Sequence, residues 1–267
     1  MESIFVDNVK ITHPNKELFT NPSITKLDVI NYYKSVSDKF IAEVKGRPIS
    51  MVRSPNGIKG PKFYQKHPTE SFPEYIERVK IKEKDEYDAY ITIDHLNDIL
   101  YLVNIGVLEF HIWGSKIESI ETPDRIIFDL DPSTEDDSKL RELALIIKKI
   151  LEDNNYKPLI KTSGSKGFHV YADISSKNFT WDDLKLISKT IAESVVRINP
   201  KEYTIEFNKV NRKGKIFIDY LRNQRGSTMV APYSLRIKEG APISMPITWS
   251  ELENTKPQTF NIKNFNS

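Results

Sequence analysis

The sequence predicts an α+β fold with largely antiparallel sheets, and three observations carry that reading. Short apolar segments of strand character interleave with longer segments of helical periodicity along the chain. Several neighbouring strand segments are joined too tightly for the crossover that a parallel pair needs. The 267 residues, 39% of them apolar, suffice to bury a core. No repeat and no low-complexity linker interrupts the chain, so a single domain over residues 1–267 is expected, with a tail that frays after Pro257.

Thr25 with Asp28 forms a capping-box pattern that opens a helix from Lys26 to about Lys45. Leu27, Ile30, Tyr33, Val36 and Phe40 recur on it at helical spacing, and Gly46 stops it. Pro48 to Val52 reads as a strand, followed by a loop marked by Gly57, Gly60 and Pro61. Ile91 and Ile93 alternate like a strand, His95 to Asn104 reads as a short helix, and Leu108 to Trp113 as a strand. Arg125 to Leu130 is a short apolar strand that ends in acids. Ser138 to Asn154 is an amphipathic helix, and Leu159 to Thr162 and Phe168 to Tyr171 are strands around a Gly/Ser loop. Trp181 to Ile198 is helical, Ile216 to Tyr220 is a strand, and Thr228 to Arg236 is extended.

Composition excludes several classes. The net charge of +2, from 39 basic and 37 acidic residues, gives no bulk argument for a nucleic-acid partner; such a partner requires locally sorted charge. The absence of cysteine excludes disulfides, thiolate metal sites and a cysteine nucleophile, and fits a cytosolic location. The N-terminus has no basic region followed by an apolar run, and no apolar stretch is long enough to span a bilayer, so a soluble protein without a membrane partner is expected.

The most informative segment is Arg125-Ile-Ile-Phe-Asp-Leu-Asp-Pro132. Strand geometry puts the Asp129 and Asp131 carboxylates on one face, about 7 Å apart at roughly 3.3 Å per residue. Carboxylates that close repel unless a cation lies between them, and Mg²⁺ and Mn²⁺ favour such oxygen ligands. Acids that simply face water at a strand end are the ordinary reading of a lone DxD. A second segment, Lys161 to His169, contains a small-residue loop in which Ser163, Gly164, Ser165 and Lys166 can cradle phosphate oxygens. Alone it reads as a hairpin turn, and His169 as a packed strand histidine. A third apolar strand ends at Asp219, followed by Arg222, Asn223, Arg225 and Arg236. Arginines clustered near three acids suggest phosphates bridged by guanidinium forks and metal.

The order FDLDP, TSGSKGFHVY, IFIDY and APYSLR resembles the archaeo-eukaryotic primase superfamily, and within it the polymerase domain of bacterial ligase D. The resemblance runs from about Val9 to Trp249. It implies a primase-like fold and a nucleotidyltransferase that extends primer 3′ ends and fills gaps at DNA breaks during non-homologous end joining. It implies two Mn²⁺ or Mg²⁺ ions held by the catalytic Asp129, Asp131 and Asp219, a preference for ribonucleotides, and nucleotide contacts from Ser163, Gly164, Ser165, Lys166, His169, Arg222 and Arg236. Through HPNKELF and SITKLD it implies a pocket for a DNA 5′-phosphate at Lys16 and Lys26. VRSPNGIKGPKFYQKH, with Arg53, resembles a DNA-binding segment whose aromatic pair reads Phe63-Tyr64 here, where two phenylalanines are commoner. By the same resemblance, LEFHIWGS places His111 where the family has a histidine near the active site, and Arg212 lies where the family has a mobile loop that helps bind and position the primer terminus. DNA ends with a 5′-phosphate, NTP or dNTP, a separate ATP-dependent DNA ligase and a Ku-type end-binding protein are the implied partners, in the cytoplasm at the nucleoid. No ligase motif is visible in the chain. A replicative or damage-tolerance primase would use the same catalytic residues. A two-metal nuclease needs no Ser/Lys phosphate loop coupled to a distant arginine, and intact acids argue against a non-catalytic end binder.

Overall fold

In the computed structural model, which describes residues 2–133 and 137–265, Thr25 caps the first helix as the sequence predicts. Its hydroxyl accepts from the Asp28 amide while the Asp28 carboxylate accepts from the Thr25 amide. The expected single helix from Lys26 to Lys45 is two: α1 (Lys26–Ser35) and α2 (Ser37–Val44). Between them Val36 leaves helical geometry at φ −106°, ψ 7°. The Ser35 hydroxyl bonds the Tyr32 carbonyl at 2.6 Å, a local bond of the kind that competes with helix continuation.

Two hairpins precede these helices. β1 (Ser3–Val6) pairs with β2 (Val9–Thr12), and β3 (Glu17–Thr20) with β4 (Ser23–Thr25). Asp7 and Asn8 join the first pair, both at positive φ, as a two-residue turn demands. A larger sheet follows, from β5 (Ile49–Arg53), β6 (Phe63–Gln65), β7 (Arg78–Lys82), β8 (Tyr87–Ile91) and β9 (Val107–Trp113), with α3 (Leu96–Asn104) before the last strand. β5 pairs antiparallel with β6, β8 and β9. Every residue of β9 is buried, and the rings of Tyr33, Phe40 and Phe110 meet edge-on at 5.3–5.4 Å in the core behind it. These elements form one compact unit, Met1–Trp113 with Val230–Ser244 and Phe260–Ser267. The tail expected to fray instead returns to this unit. The Ile243 amide donates to the Phe260 carbonyl at 2.9 Å, and the Phe265 ring meets Tyr32 at 4.9 Å.

The second unit is Gly114–Met229 with Met245–Thr259. It contains β10 (Arg125–Asp131), α4 (Asp137–Asp153), β11 (Pro158–Thr162), β12 (Phe168–Asp173), α5 (Trp181–Ile198), β13 (Tyr203–Thr204) and β14 (Ile216–Asp219). β15 (Thr228–Val230) leads out of it and β16 (Pro246–Ile247) belongs to its second stretch. The sheet order is β13-β14-β10-β12-β11-β16, antiparallel except for β13 with β14. α4 and α5 lie against it. Ile126, Phe128 and Leu130 of β10 are fully buried, and strand alternation puts Asp129 and Asp131 on the opposite face. The extended run expected to Arg236 ends at Val230. Pro232 follows, Tyr233 takes φ 65°, and the Ser234 amide closes a turn onto the Ala231 carbonyl. Among the described residues no helix is long and apolar enough to cross a membrane.

One side chain fixes the loop after β14. β14 pairs with β10 only from Asp131 back to Asp129, where its own last residue is Asp219. Beyond it the Asn223 side chain takes over as the pairing partner. Its Oδ1 accepts from the Ile127 amide at 2.8 Å, and its Nδ2 donates to the Ile127 carbonyl at 2.6 Å and the Tyr220 carbonyl at 2.9 Å. Asn223 is 1% exposed, so no solvent replaces these bonds. Asn223→Ala leaves buried backbone groups unpaired and is expected to cost about 2–4 kcal/mol. Urea unfolding checks it: the midpoint falls with the slope unchanged. A loss under about 0.5 kcal/mol, the scale of an ordinary surface change, would show that the amide does not act as a strand partner.

Candidate active site

Register across four strands of the second unit builds one row of charged side chains. Asp219 on β14 stands opposite Asp129 on β10, Asp129 opposite His169 on β12, and His169 opposite Lys161 on β11. Cross-strand partners share a face, so Asp219, Asp129, His169 and Lys161 point to the same side. Asp131 lies two residues on from Asp129, on the same face.

The acids are held by basic side chains of the protein itself. Arg222 bridges two of them, with Nη2 3.4 Å from Asp129 Oδ2 and Nε 3.1 Å from Asp219 Oδ2. His169 Nε2 lies 3.3 Å from Asp129 Oδ1. Arg212 Nη1 lies 3.2 Å from Asp131 Oδ2. Burial works to raise the Asp129 carboxyl, but His169, Arg222 and Lys161 outweigh it and hold the group well below the usual carboxylate range. Asp219 goes the other way: burial raises it and Arg222 only partly compensates, with Asp129 adding to the rise. His169 is pushed down to about 4, by burial first and then by the charge of Lys161, so it is neutral at pH 7.

As placed, no three acidic or histidine side chains among the described residues converge on one point. The residues nonetheless fit divalent ions. They are hard oxygen donors on one strand face, a guanidinium already spans two of them as a stand-in cation, and His169 Nδ1 is buried without a hydrogen-bond partner. Asp219 and Arg222 also line an open pocket of about 400 Å³ with Phe207, Leu221, Gln224 and Ser227.

The Ser163–Lys166 loop is the turn between β11 and β12. The Ser163 amide donates to the Gly167 carbonyl, and Ser163 Oγ accepts from the Ser165 and Gly167 amides, each at 3.1 Å. Those two amides therefore close the turn rather than offer themselves to a phosphate. Gly164, at φ 63°, makes the bend possible, and Lys166 is exposed. Gly167 admits backbone, not a ligand: a Cβ there would sit 1.7 Å from the Leu130 carbonyl oxygen, which packs the turn against the acidic end of β10. Arg212, 6% exposed, faces inward. It donates to the Glu206 and Phe207 carbonyls and covers the Phe217 ring at 3.8 Å.

The remaining predicted residues belong to the first unit. Arg236 is ion-paired with Glu109 at 3.1 Å, and His111 Nε2 lies 3.1 Å from the same carboxylate oxygen. The Tyr64 ring lies 5.7 Å from His111. Phe63 and Tyr64 are exposed on β6, and Arg53 lies over the Phe63 ring while donating to the Ile105 carbonyl and Gln65. Lys16 donates to Asn56 Oδ1. Lys26 is buried, with Nζ at 2.7 Å from the Thr12 carbonyl and at 2.9 and 3.3 Å from the carbonyl and side-chain oxygens of Asn104. Burial and then the charge of Lys16 push Lys26 down to about 8.

Sequence reasoning assigned no role to Lys161, Asn223 and Glu109. Lys161 stands at the edge of the quoted loop segment, and its place opposite His169 follows only from the hairpin register. Glu109 and His111 stand two apart in a strand, the same signal that singled out Asp129 and Asp131.

The chain matches the family described as LigD, primase-polymerase domain, over residues 25–267. It is 31% identical over 247 residues to the multifunctional non-homologous end joining protein LigD of Pseudomonas aeruginosa, covering 92% of this chain and 29% of that protein. It is 30% identical over 256 residues to the bifunctional non-homologous end joining protein LigD of Bacillus subtilis, covering 95% of this chain and 41% of that protein. The chain thus spans well under half of the length of these relatives. Its fold is similar to that of the polymerase domain of Mycobacterium tuberculosis ligase D in complex with DNA, with a TM-score of 0.88 and 28% identity over 96% of this chain and 92% of that one. An acidic row on a primase-like sheet and a family match over nearly the whole chain lead to one conclusion: this chain belongs to the LigD primase-polymerase domain family, a family of nucleotidyltransferases.

Proposed function

We propose that this chain extends nucleic-acid 3′ ends and fills gaps at DNA breaks in non-homologous end joining. The row Asp219–Asp129–His169–Lys161, with Asp131 beside it, is the observation that carries the reading. The end-joining names of the relatives and the DNA held by the similar polymerase domain support it. Two Mn²⁺ or Mg²⁺ ions on Asp129, Asp131 and Asp219 would acidify the primer 3′-hydroxyl and screen the triphosphate charge. His169 orients Asp129. Ser163, Gly164, Ser165 and Lys166 line the turn that faces the nucleotide phosphates, and Arg236 adds a fork for them. Arg222 now neutralises two of the carboxylates, and it is the group that turns to the phosphates once those carboxylates are otherwise neutralised. The 3′-oxygen attacks the α-phosphate and pyrophosphate leaves. Arg53, Phe63, Tyr64, His111 and Arg212 contact the nucleic acid. Ribonucleotides are the preferred substrates, a DNA ligase activity and a Ku-type protein are the partners, and the site of action is the nucleoid.

Asp129→Asn, Asp131→Asn and Asp219→Asn are each expected to abolish primer extension; near-wild-type extension by any of them would sink the assignment. Their metal-free stabilities separate them. The Asp129 carboxyl lies below its unfolded value, so its ionised form stabilises the fold above the usual carboxylate range, and that contribution is lost as pH falls. Asp129→Asn should therefore cost about 1.5–3 kcal/mol at pH 7. The Asp219 carboxyl lies above its unfolded value, so its charge opposes folding at neutral pH, and Asp219→Asn should hold or raise the melting temperature.

The 5′-phosphate pocket divides end joining from priming, because a primase has no use for a downstream terminal phosphate. Lys16 lies at the start of the path to α1, and the Lys26 amide, in the first turn of that helix, donates to the Lys16 carbonyl. Gap filling by the wild-type chain should favour a 5′-phosphorylated downstream strand over a 5′-hydroxyl one, more so at low salt. Lys16→Ala should remove that preference with the melting temperature unchanged, whereas Lys26→Ala should lower both, since Nζ holds three oxygens. Equal use of both ends by the wild-type chain would move the reading to a primase.

A further inference from the structure

Glu109 lies 5% exposed in the middle of β9, opposite the apolar Val52 of β5. A buried carboxylate is costly unless it is paired, and near residues that meet a polyanion it also repels the ligand. Its contacts identify what offsets both costs. Oε2 is ion-paired with Arg236, whose Nε lies 3.1 Å away, and hydrogen-bonded to His111 Nε2 at 3.1 Å, and Oε1 accepts from the Ile237 amide at 2.7 Å. One carboxylate thus holds the side chain of Arg236, the main chain directly after it, and the imidazole of His111. Burial works to raise the Glu109 carboxyl, but the hydrogen bond from His111 and the charge of Arg236 bring it down to about 2, so it is ionised throughout the working range.

The segment that carries Arg236 is irregular but held through its main chain. Leu235 bridges Ile243, the Leu235 amide donates to the Tyr33 hydroxyl, the Arg236 amide to the Pro242 carbonyl and the Lys238 amide to the Arg236 carbonyl. These bonds fix the backbone and not the guanidinium. Arginine has four rotatable side-chain bonds, and an unheld guanidinium would have to be ordered each time a ligand bound. The same carboxylate reaches the aromatic pair indirectly. Tyr64, Val52 and Glu109 form a cross-strand row over β6, β5 and β9, and the Tyr64 ring touches His111.

We propose that Glu109 is a positioning residue for nucleotide binding: it fixes the Arg236 guanidinium and the His111 ring in one orientation, so that binding begins from an ordered fork. The inference rests on the reading that Arg236 meets the nucleotide phosphates. It makes Glu109 act through Arg236 and not on the reacting atoms.

The test combines steady-state extension with an NMR signal that reports on Arg236 itself. Glu109→Gln keeps the volume and removes the charge. It should raise the nucleotide KM about tenfold, the loss of one charge-assisted contact, while kcat changes less than about threefold. In an Arg236→Ala background the same substitution should add less than about twofold, as coupled residues do. The ¹⁵N–¹H resonance of Arg236 Nε should be sharp and slowly exchanging in the wild-type chain and broadened in Glu109→Gln. Glu109→Asp keeps the charge but shortens the reach, and it gives the same readouts if Glu109→Gln does not fold. An unchanged KM with an unchanged Arg236 resonance overturns the inference, as does an equal rise in KM with and without Arg236. If Arg236→Ala leaves KM unaltered while Glu109→Gln still broadens the Arg236 resonance, the positioning stands and the phosphate reading of Arg236 falls.

Discussion

Asp129 and Asp219 stand directly opposite each other on adjacent antiparallel strands, and the second unit is arranged around that repulsion. Each of its unusual features answers it. Arg222 spans the two carboxylates. Reaching them requires the chain to turn back immediately after β14, and Asn223 makes that turn possible by supplying from its side chain the pairing that the strand no longer gives to Ile127. His169 and Lys161 continue the row with positive or proton-donating groups. The environment then drives the two acids apart, Asp129 down and Asp219 up, as happens wherever two carboxylates share a site and only one is fully compensated.

Much of this was legible in the residues. Period-2 geometry placed Asp129 and Asp131 on one face before any fold was known, and the apolar strand ending at Asp219 supplied the third acid. The capping box at Thr25 marked the start of α1 correctly because it is local chemistry. What escaped depended on distant partners. The hairpin over Asp7-Asn8 lacks the glycine that advertises such turns, and the tail after Pro257 looks polar until Ile262 finds a buried place. The missing side chain of Gly167 makes room for the Leu130 carbonyl, and only the packing of the turn on β10 reveals that. A fully buried lysine such as Lys161 has no sequence signature, because composition alone would leave any lysine in water.

The two units use the same trio of side chains for different ends. In the second, the Asp129 carboxylate receives His169 and Arg222; in the first, the Glu109 carboxylate receives His111 and Arg236. Chemically the two are near equivalents: a largely buried anion that holds an imidazole and a guanidinium, with its carboxyl below the ordinary range. What separates them is the residue across the strand. Glu109 faces Val52, so one arginine and one histidine complete its neutralisation and nothing remains for a further cation to do. Asp129 faces Asp219, so Arg222 is shared between two carboxylates, and Lys161, opposite His169, adds positive charge that Glu109 does without. Similar local chemistry thus closes on itself beside Val52 and is shared between two carboxylates beside Asp219, and the difference lies in the cross-strand neighbour.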